Sequence, residues 1–132
     1  MKVLLDTSVC IALLRKHAKA GTRLLSFAPG ECAISSVVAY ELFVGVAKSQ
    51  HAQGERSKVE FLLKFLTIVV FDEAAARAAA QLRADLESIG KPCGAYDLLI
   101  AGHALALNLP LATNNVREFS RVSGLQVQDW LA

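Results

Sequence analysis

The chain has 132 residues, 54% hydrophobic and 20% charged, so it carries enough apolar side chain to build a core and is unlike a disordered segment. One domain is the expectation at this length, and a net charge of +2 permits an anionic partner without requiring one. No apolar run approaches the roughly 20 residues that cross a bilayer, and "MKVLLD" is too short for the apolar core of a secretory signal, so a soluble cytoplasmic protein is expected, with no membrane partner.

In chain order, "KVLLD" (Lys2 to Asp6) reads as a buried strand, and "TSVCIALLRKH" after it has helical apolar spacing at Val9, Leu13 and Leu14. "AGTRLLSFAPG" continues helically and stops at Pro29-Gly30. "ECAIS" is a second short strand, and Ser35 and Ser36 supply hydroxyls suited to an N-cap. The helix they start runs through Glu41 to about Ala47, and another runs from about Glu55 to Leu66. "TIVVF" is the third strand, and Asp72 caps the alanine-rich helix that ends at Gly90 and Pro92, with Arg83 and Glu87 one turn apart. "AYDLLIAGHALALNL" is helical, "PLATNN" is a fourth strand, and "LQVQDW" adds a short edge strand. Strands alternating with helices imply an α/β fold on a parallel sheet.

Three acids stand in unusual surroundings. Around Glu41, the positions one helical turn away are Val37, Val38, Val44 and Gly45, with no lysine or arginine in local reach; Gly45 is read as leaving room beside the carboxylate. Asp97 is followed by Leu98, Leu99, Ile100 and Ala101 and falls in the first turn of its helix, near free N–H groups. Asp6 ends the first strand, where open parallel sheets place their ligands. Burying three unpaired carboxylates would cost several kcal/mol each, against a net stability of about 5–15 kcal/mol. They need protons, distant cations or a metal, although Asp6 as a helix cap and Asp97 as a helix-start acid are also ordinary. Carboxylates without paired histidines or thiolates suit a hard ion, Mg²⁺ or Mn²⁺.

Other features are weaker. Cys10, Cys32 and Cys93 read as reduced core filler, and His17, His51 and His103 lack ligand spacing and read as surface or core-edge residues. No dinucleotide loop, P-loop or nucleophile elbow occurs. Thr7, Ser8, Thr113, Asn114 and Asn115 are suited to phosphate or water contacts at the same crevice, or to plain turns. Glu118 would add a fourth carboxylate, and Arg15, Lys16, Lys19 and Arg23 form either a phosphate-contacting cluster or a solvated face.

Taken together, "LLDTSVCIALLR", "ISSVVAYELFVGVAKS" and "GAYDLLIAGHALALNLPLATNNVREFSRVSGLQVQDW" resemble PIN-domain proteins in order and spacing, and more narrowly VapC toxins, the ribonucleases of type II toxin–antitoxin pairs. The resemblance spans nearly the whole chain. It implies a three-layer α/β/α fold with a central, mainly parallel sheet, and acids gathered at one end to hold Mg²⁺ or Mn²⁺. Asp6, Glu41 and Asp97 match those positions. Many PIN domains have an aspartate directly after the fourth strand, where this chain has Asn115, so Glu118 becomes the fourth acid. The implied assignment is Asp6, Glu41, Asp97 and Glu118 as catalytic residues, with Asp6 and Asp97 as metal ligands. The implied partners are an RNA substrate, a VapB-like antitoxin and a second copy of the chain.

Two other classes compete at this stage. A phosphatase or phosphotransferase would use Asp6 as nucleophile, but the second aspartate common two residues on is here Ser8. An inactive RNA- or protein-binding module would be expected to have lost one of the three acids, and all are present.

Overall fold

A computed structural model describes residues 1–132. The first strand, β1, is Val3–Leu5, fully buried, and leads through Asp6 into α1 (Thr7–Leu14). The helix expected to continue beyond it is broken: Lys16 takes a left-handed φ of 61°, and His17 Nδ1 accepts from the Ala20 amide at 3.2 Å to cap α2 (Ala18–Leu25). A lysine at a left-handed helix exit, where glycine or asparagine is usual, gives the sequence no stop signal.

Next come β2 (Cys32–Ser35), α3 (Ser36–Lys48), α4 (Ala52–Leu63) and β3 (Leu66–Val69). Ser35 is the N-cap of α3, accepting from the Val37 amide, and Ser36 Oγ instead accepts from the Phe71 amide. Leu66, expected at the end of α4, opens β3 and pairs with Cys32. Asp72 caps α5 (Glu73–Ser88) through the Ala75 amide, as its position predicts. Then follow α6 (Ala95–Leu107), β4 (Leu111–Thr113), a one-turn helix α7 (Val116–Phe119) too short to show helical periodicity, and β5 (Val127–Asp129) at the sheet edge.

All pairings are parallel, in the order β3-β2-β1-β4-β5. Leu4, Leu5, Ile34 and Leu111 lie at the centre of the core. Right-handed crossovers, the rule for parallel strands, put α1 to α4 on one face and α5 to α7 on the other. This is the three-layer α/β/α arrangement. On the second face α5 and α6 meet closely: a Cβ on Gly102 would lie 2.5 Å from Ala79 Cα, so only glycine fits there.

His103 corrects an expectation. It is 1% exposed rather than at the surface or core edge, with neither ring nitrogen hydrogen-bonded and its ring edge-on to Phe71 at 5.4 Å. Burial holds its pKa below the usual histidine value.

The strand order also locates a crevice. From β1 the chain moves toward β2, whereas from β4 it moves toward β5, so the connections diverge between these two neighbours. In open parallel sheets this switch point, at the carboxyl ends of the strands, is where ligands bind. Asp6 and Thr113 occupy it.

Candidate active site

Asp6 is held by its strand and its helix at once. Its amide donates to Ala112 O at 3.0 Å, extending the β1–β4 ladder, while its carboxylate caps α1. Oδ1 accepts from Ser8 Oγ at 2.6 Å and from the Val9 amide at 3.1 Å, and Oδ2 accepts from Thr113 Oγ1. The Thr113 hydroxyl in turn accepts from the Asn115 amide at 2.8 Å, and Ser8 Oγ accepts from the Asn114 amide at 3.0 Å. Capping and crevice placement are therefore the same geometry. Asp6 is 3% exposed, and burial raises its pKa against the opposing pull of the Ser8, Thr113 and Val9 bonds.

Glu41 is partly rather than fully buried, and its nearest support is neutral: Thr7 Oγ1 donates to Oε1 at 2.7 Å. The expectation of a carboxylate sealed in an apolar helix is corrected, because α3 turns this position toward the mouth of the crevice. Gly45 is not needed to make room, since a Cβ there would meet nothing within 4 Å. Beside Glu41 a groove of about 440 Å³ is lined by Thr7, Arg15, Gly45, Glu55 and Lys58. Of the basic cluster in the sequence, Arg15 reaches this groove, whereas Lys19 and Arg23 line a separate hollow beside Trp130.

Asp97 lies in the first turn of α6, partly buried. Burial, then the negative charges of Glu118, Asp6 and Glu41, push its pKa up to about 6. Glu118 reaches the same place because α7 follows β4 after a two-residue turn. Its Oε1 accepts from Cys93 Sγ at 2.9 Å and from the Gly94 amide at 3.2 Å, and its Oε2 accepts from Asn115 Nδ2 at 2.6 Å. Donation by the Cys93 thiol is the main reason its pKa falls below the usual carboxylate value. Of this close pair, Asp97 is the acid that keeps a proton longer.

No lysine or arginine forms an ion pair with any of these acids; the pairs formed are Lys2–Glu31, Lys58–Glu55, Arg77–Glu73 and Arg83–Glu87. Hydroxyls, amides and a thiol orient the carboxylates of Asp6, Glu41 and Glu118 without neutralising them. An oxygen each from Asp97 and Glu118 and the Cys93 sulfur stand within 4.8 Å of one another, a spacing that fits a divalent ion. Asp6 is outside this tight group, close enough to raise the Asp97 pKa. Cys93, expected as core filler, is instead part of this site. Cys10 and Cys32 are buried as expected, but Cys93 is half-buried and faces Glu118, 25 positions away, so no local spacing could reveal it.

A parallel sheet whose switch point gathers uncompensated acids is a fold and site of the class that serves phosphoryl chemistry, and comparison with known proteins specifies it. The PIN domain pattern matches residues 3–125, and the chain belongs to the PIN-domain family, in its VapC branch. It is 37% identical over 130 residues to the tRNA(fMet)-specific endonuclease VapC of Shigella flexneri, with 98% of each chain covered. It is 37% identical over 132 residues to ribonuclease VapC2 of Rickettsia felis, again with 98% of each covered. Among solved structures, it superposes on a DNA-bound VapBC from Salmonella typhimurium with a TM-score of 0.94 at 36% identity, covering 98% of both chains. Against VapBC2 of Rickettsia felis bound to a promoter DNA fragment the TM-score is 0.92 at 37% identity, covering 98% of this chain and 99% of the other.

Proposed function

We propose that this chain is the toxin of a type II toxin–antitoxin pair, a Mg²⁺-dependent endoribonuclease that hydrolyses phosphodiester bonds in a structured RNA such as tRNA or rRNA. The observation that carries this reading is the convergence of Asp6, Glu41, Asp97 and Glu118 at the switch point with no cationic side chain paired to them. Full-length similarity to a tRNA(fMet)-specific endonuclease and to ribonucleases supports it. Residues 1–132 act as one domain, and the free thiols suit the reducing cytoplasm.

In this reading Asp6 and Asp97 hold the ion, Mg²⁺ or Mn²⁺, with Glu118 beside them. When bound, the ion supplies Lewis-acid stabilisation of the charge that develops on the phosphodiester. A carboxylate oxygen accepts two hydrogen bonds readily, so Ser8 and Val9 saturate Asp6 Oδ1 while Thr113 takes one lone pair of Oδ2. One direction on Oδ2 is left for a ligand. Glu118 is arranged likewise, with Oε1 taken by Cys93 and Gly94 and Oε2 shared with Asn115. Thr7 steadies Glu41 through Oε1 and leaves the rest of the carboxylate free of protein donors, so Glu41 is the group that takes the proton of the attacking water. Arg15 and Lys58 in the adjoining groove position the RNA backbone without reading its sequence.

The partners in this reading are a VapB-like antitoxin, as in the VapBC complexes that the fold matches, and a second copy of the chain. The exposed apolar residues Tyr40, Phe43 and Ile68 suit a protein contact.

The test is cleavage of RNA by purified protein with Mg²⁺, with chelator, and with Asp97→Asn. Cleavage confined to the first condition is expected, and equal cleavage in all three would mean a contaminant and end the proposal.

A further inference from the structure

Cys93 stands in the loop between α5 and α6, one residue before Gly94, the N-cap of α6. Unlike Cys10 and Cys32, which are at most 1% exposed, it reaches the edge of the acidic crevice. Its sulfur lies 2.9 Å from Glu118 Oε1 and within 4.8 Å of an Asp97 oxygen. A hard-ion site needs only oxygens, and sulfur contributes little to Mg²⁺. A thiol among its ligand carboxylates therefore alters which ion the site prefers.

We propose that Cys93, Asp97 and Glu118 form a mixed sulfur–oxygen site that takes one thiophilic divalent ion of the Zn²⁺ class. The proposal builds on the reading of Asp97 and Glu118 as metal ligands. Zn–S and Zn–O bonds of about 2.3 and 2.0–2.2 Å set tetrahedral donor atoms roughly 3.3–3.8 Å apart. The three donors lie within 4.8 Å of one another, so closing the site on an ion takes side-chain rotation that draws the wider pairs in and replaces the 2.9 Å contact between Cys93 Sγ and Glu118 Oε1. On binding, the Cys93 S–H bond breaks, the sulfur's electron pair goes to the ion and the proton goes to solvent, so each ion bound releases one proton. Two carboxylates then offset the ion's charge, and no lysine or arginine stands in its place. Because Asp97 and Glu118 are shared, such an ion competes with Mg²⁺ and inhibits cleavage.

Cd²⁺ is the probe, read by its ultraviolet sulfur-to-cadmium charge-transfer absorption on the intact chain. The band is expected to saturate at one ion per chain in the wild type and to be absent in Cys93→Ser. Glu118→Gln should keep the band but weaken Cd²⁺ binding by about tenfold or more, the scale on which supporting groups tune metal sites. No band in the wild type, the same band in Cys93→Ser, or unchanged affinity in Glu118→Gln would each overturn the proposal. Mn²⁺ binding followed by electron paramagnetic resonance separates it from the reading it builds on. Mn²⁺ bound equally by wild type and Cys93→Ser, with no Cd²⁺ band, defeats the thiophilic site alone. Mn²⁺ failing to bind the wild type, with the Cys93-dependent band intact, defeats the Mg²⁺ reading and leaves the thiophilic site standing.

Discussion

The acids of α5 and the acids of the crevice are the same residue types under opposite physical conditions. On α5, Glu73 and Glu87 each meet an arginine one turn on, Arg77 at 3.0 Å and Arg83 at 2.8 Å, all well exposed. Such exposed pairs contribute little to stability and are screened by salt. In the crevice, Asp6, Glu41, Asp97 and Glu118 have no such partner. The donors to Asp6, Glu41 and Glu118 are Thr7, Ser8, Thr113, Cys93, Asn115 and backbone amides. Neutral donors orient a carboxylate without cancelling its charge, so the crevice keeps its negative potential for an external cation. The first set serves the helix; the second is available for chemistry.

The sharpest way to break this contrast is to neutralise one acid on each side. Asp6→Asn or Asp97→Asn should lower RNA cleavage by about 100-fold or more, on the scale reported for removing a preorganised electrostatic group. Glu73→Gln should leave it within a factor of two or so, as a surface change away from the crevice does. Comparable losses in both would remove the distinction.

Cation linkage comes next in size. Mg²⁺ or Mn²⁺ at about 100 times its dissociation constant should stabilise the wild type by about 2.7 kcal/mol, read as a rise in melting temperature. Asp6→Asn should show a smaller rise; an equal rise would reduce Asp6 to a helix cap.

Thr113→Val tests the neutral scaffold, since it deletes a buried donor to Asp6 and an acceptor for the Asn115 amide while keeping the shape. A loss of roughly 1–3 kcal/mol in denaturant unfolding is expected.

The smaller effect is pH linkage at Asp97. Its pKa rises from 3.8 to about 6 on folding, so the unfolded chain gives up this proton first, and ionisation in the folded state costs stability as pH climbs between these values. Asp97→Asn should therefore stabilise the metal-free protein above about pH 6 by about 1 kcal/mol, discounted because the group is half exposed, and by nothing near pH 4. His103, with its lowered pKa, acts in the other direction: its contribution is complete above the unfolded histidine value near 6.5 and is lost as pH falls. Comparing wild type and Asp97→Asn across pH isolates the aspartate. A destabilised variant at pH 7 without metal would show that the crevice is not short of positive charge.

Much was legible along the chain because the signals are local. The buried strand before Asp6, the caps at Ser35 and Asp72 and the Arg83–Glu87 pair all depend on neighbours within a turn, and all are seen. The break at Lys16, the burial of His103 and the short α7 helix were not legible. Each depends on packing or on a backbone conformation that the residue itself does not announce.

For the crevice, the absence of local cations around Glu41 and Asp97 and the place of Asp6 at the end of a strand follow from the order of residues alone, since helical and strand periodicity decide such neighbourhoods. The meeting of Asp6 with Thr113, of Thr7 with Glu41, and of Cys93 with Glu118 arises from the folded chain and has no local signal. The reason is topological: the sheet order places β4 beside β1, and partners 107, 34 and 25 positions apart become hydrogen-bonded only once that sheet and its crossovers have formed.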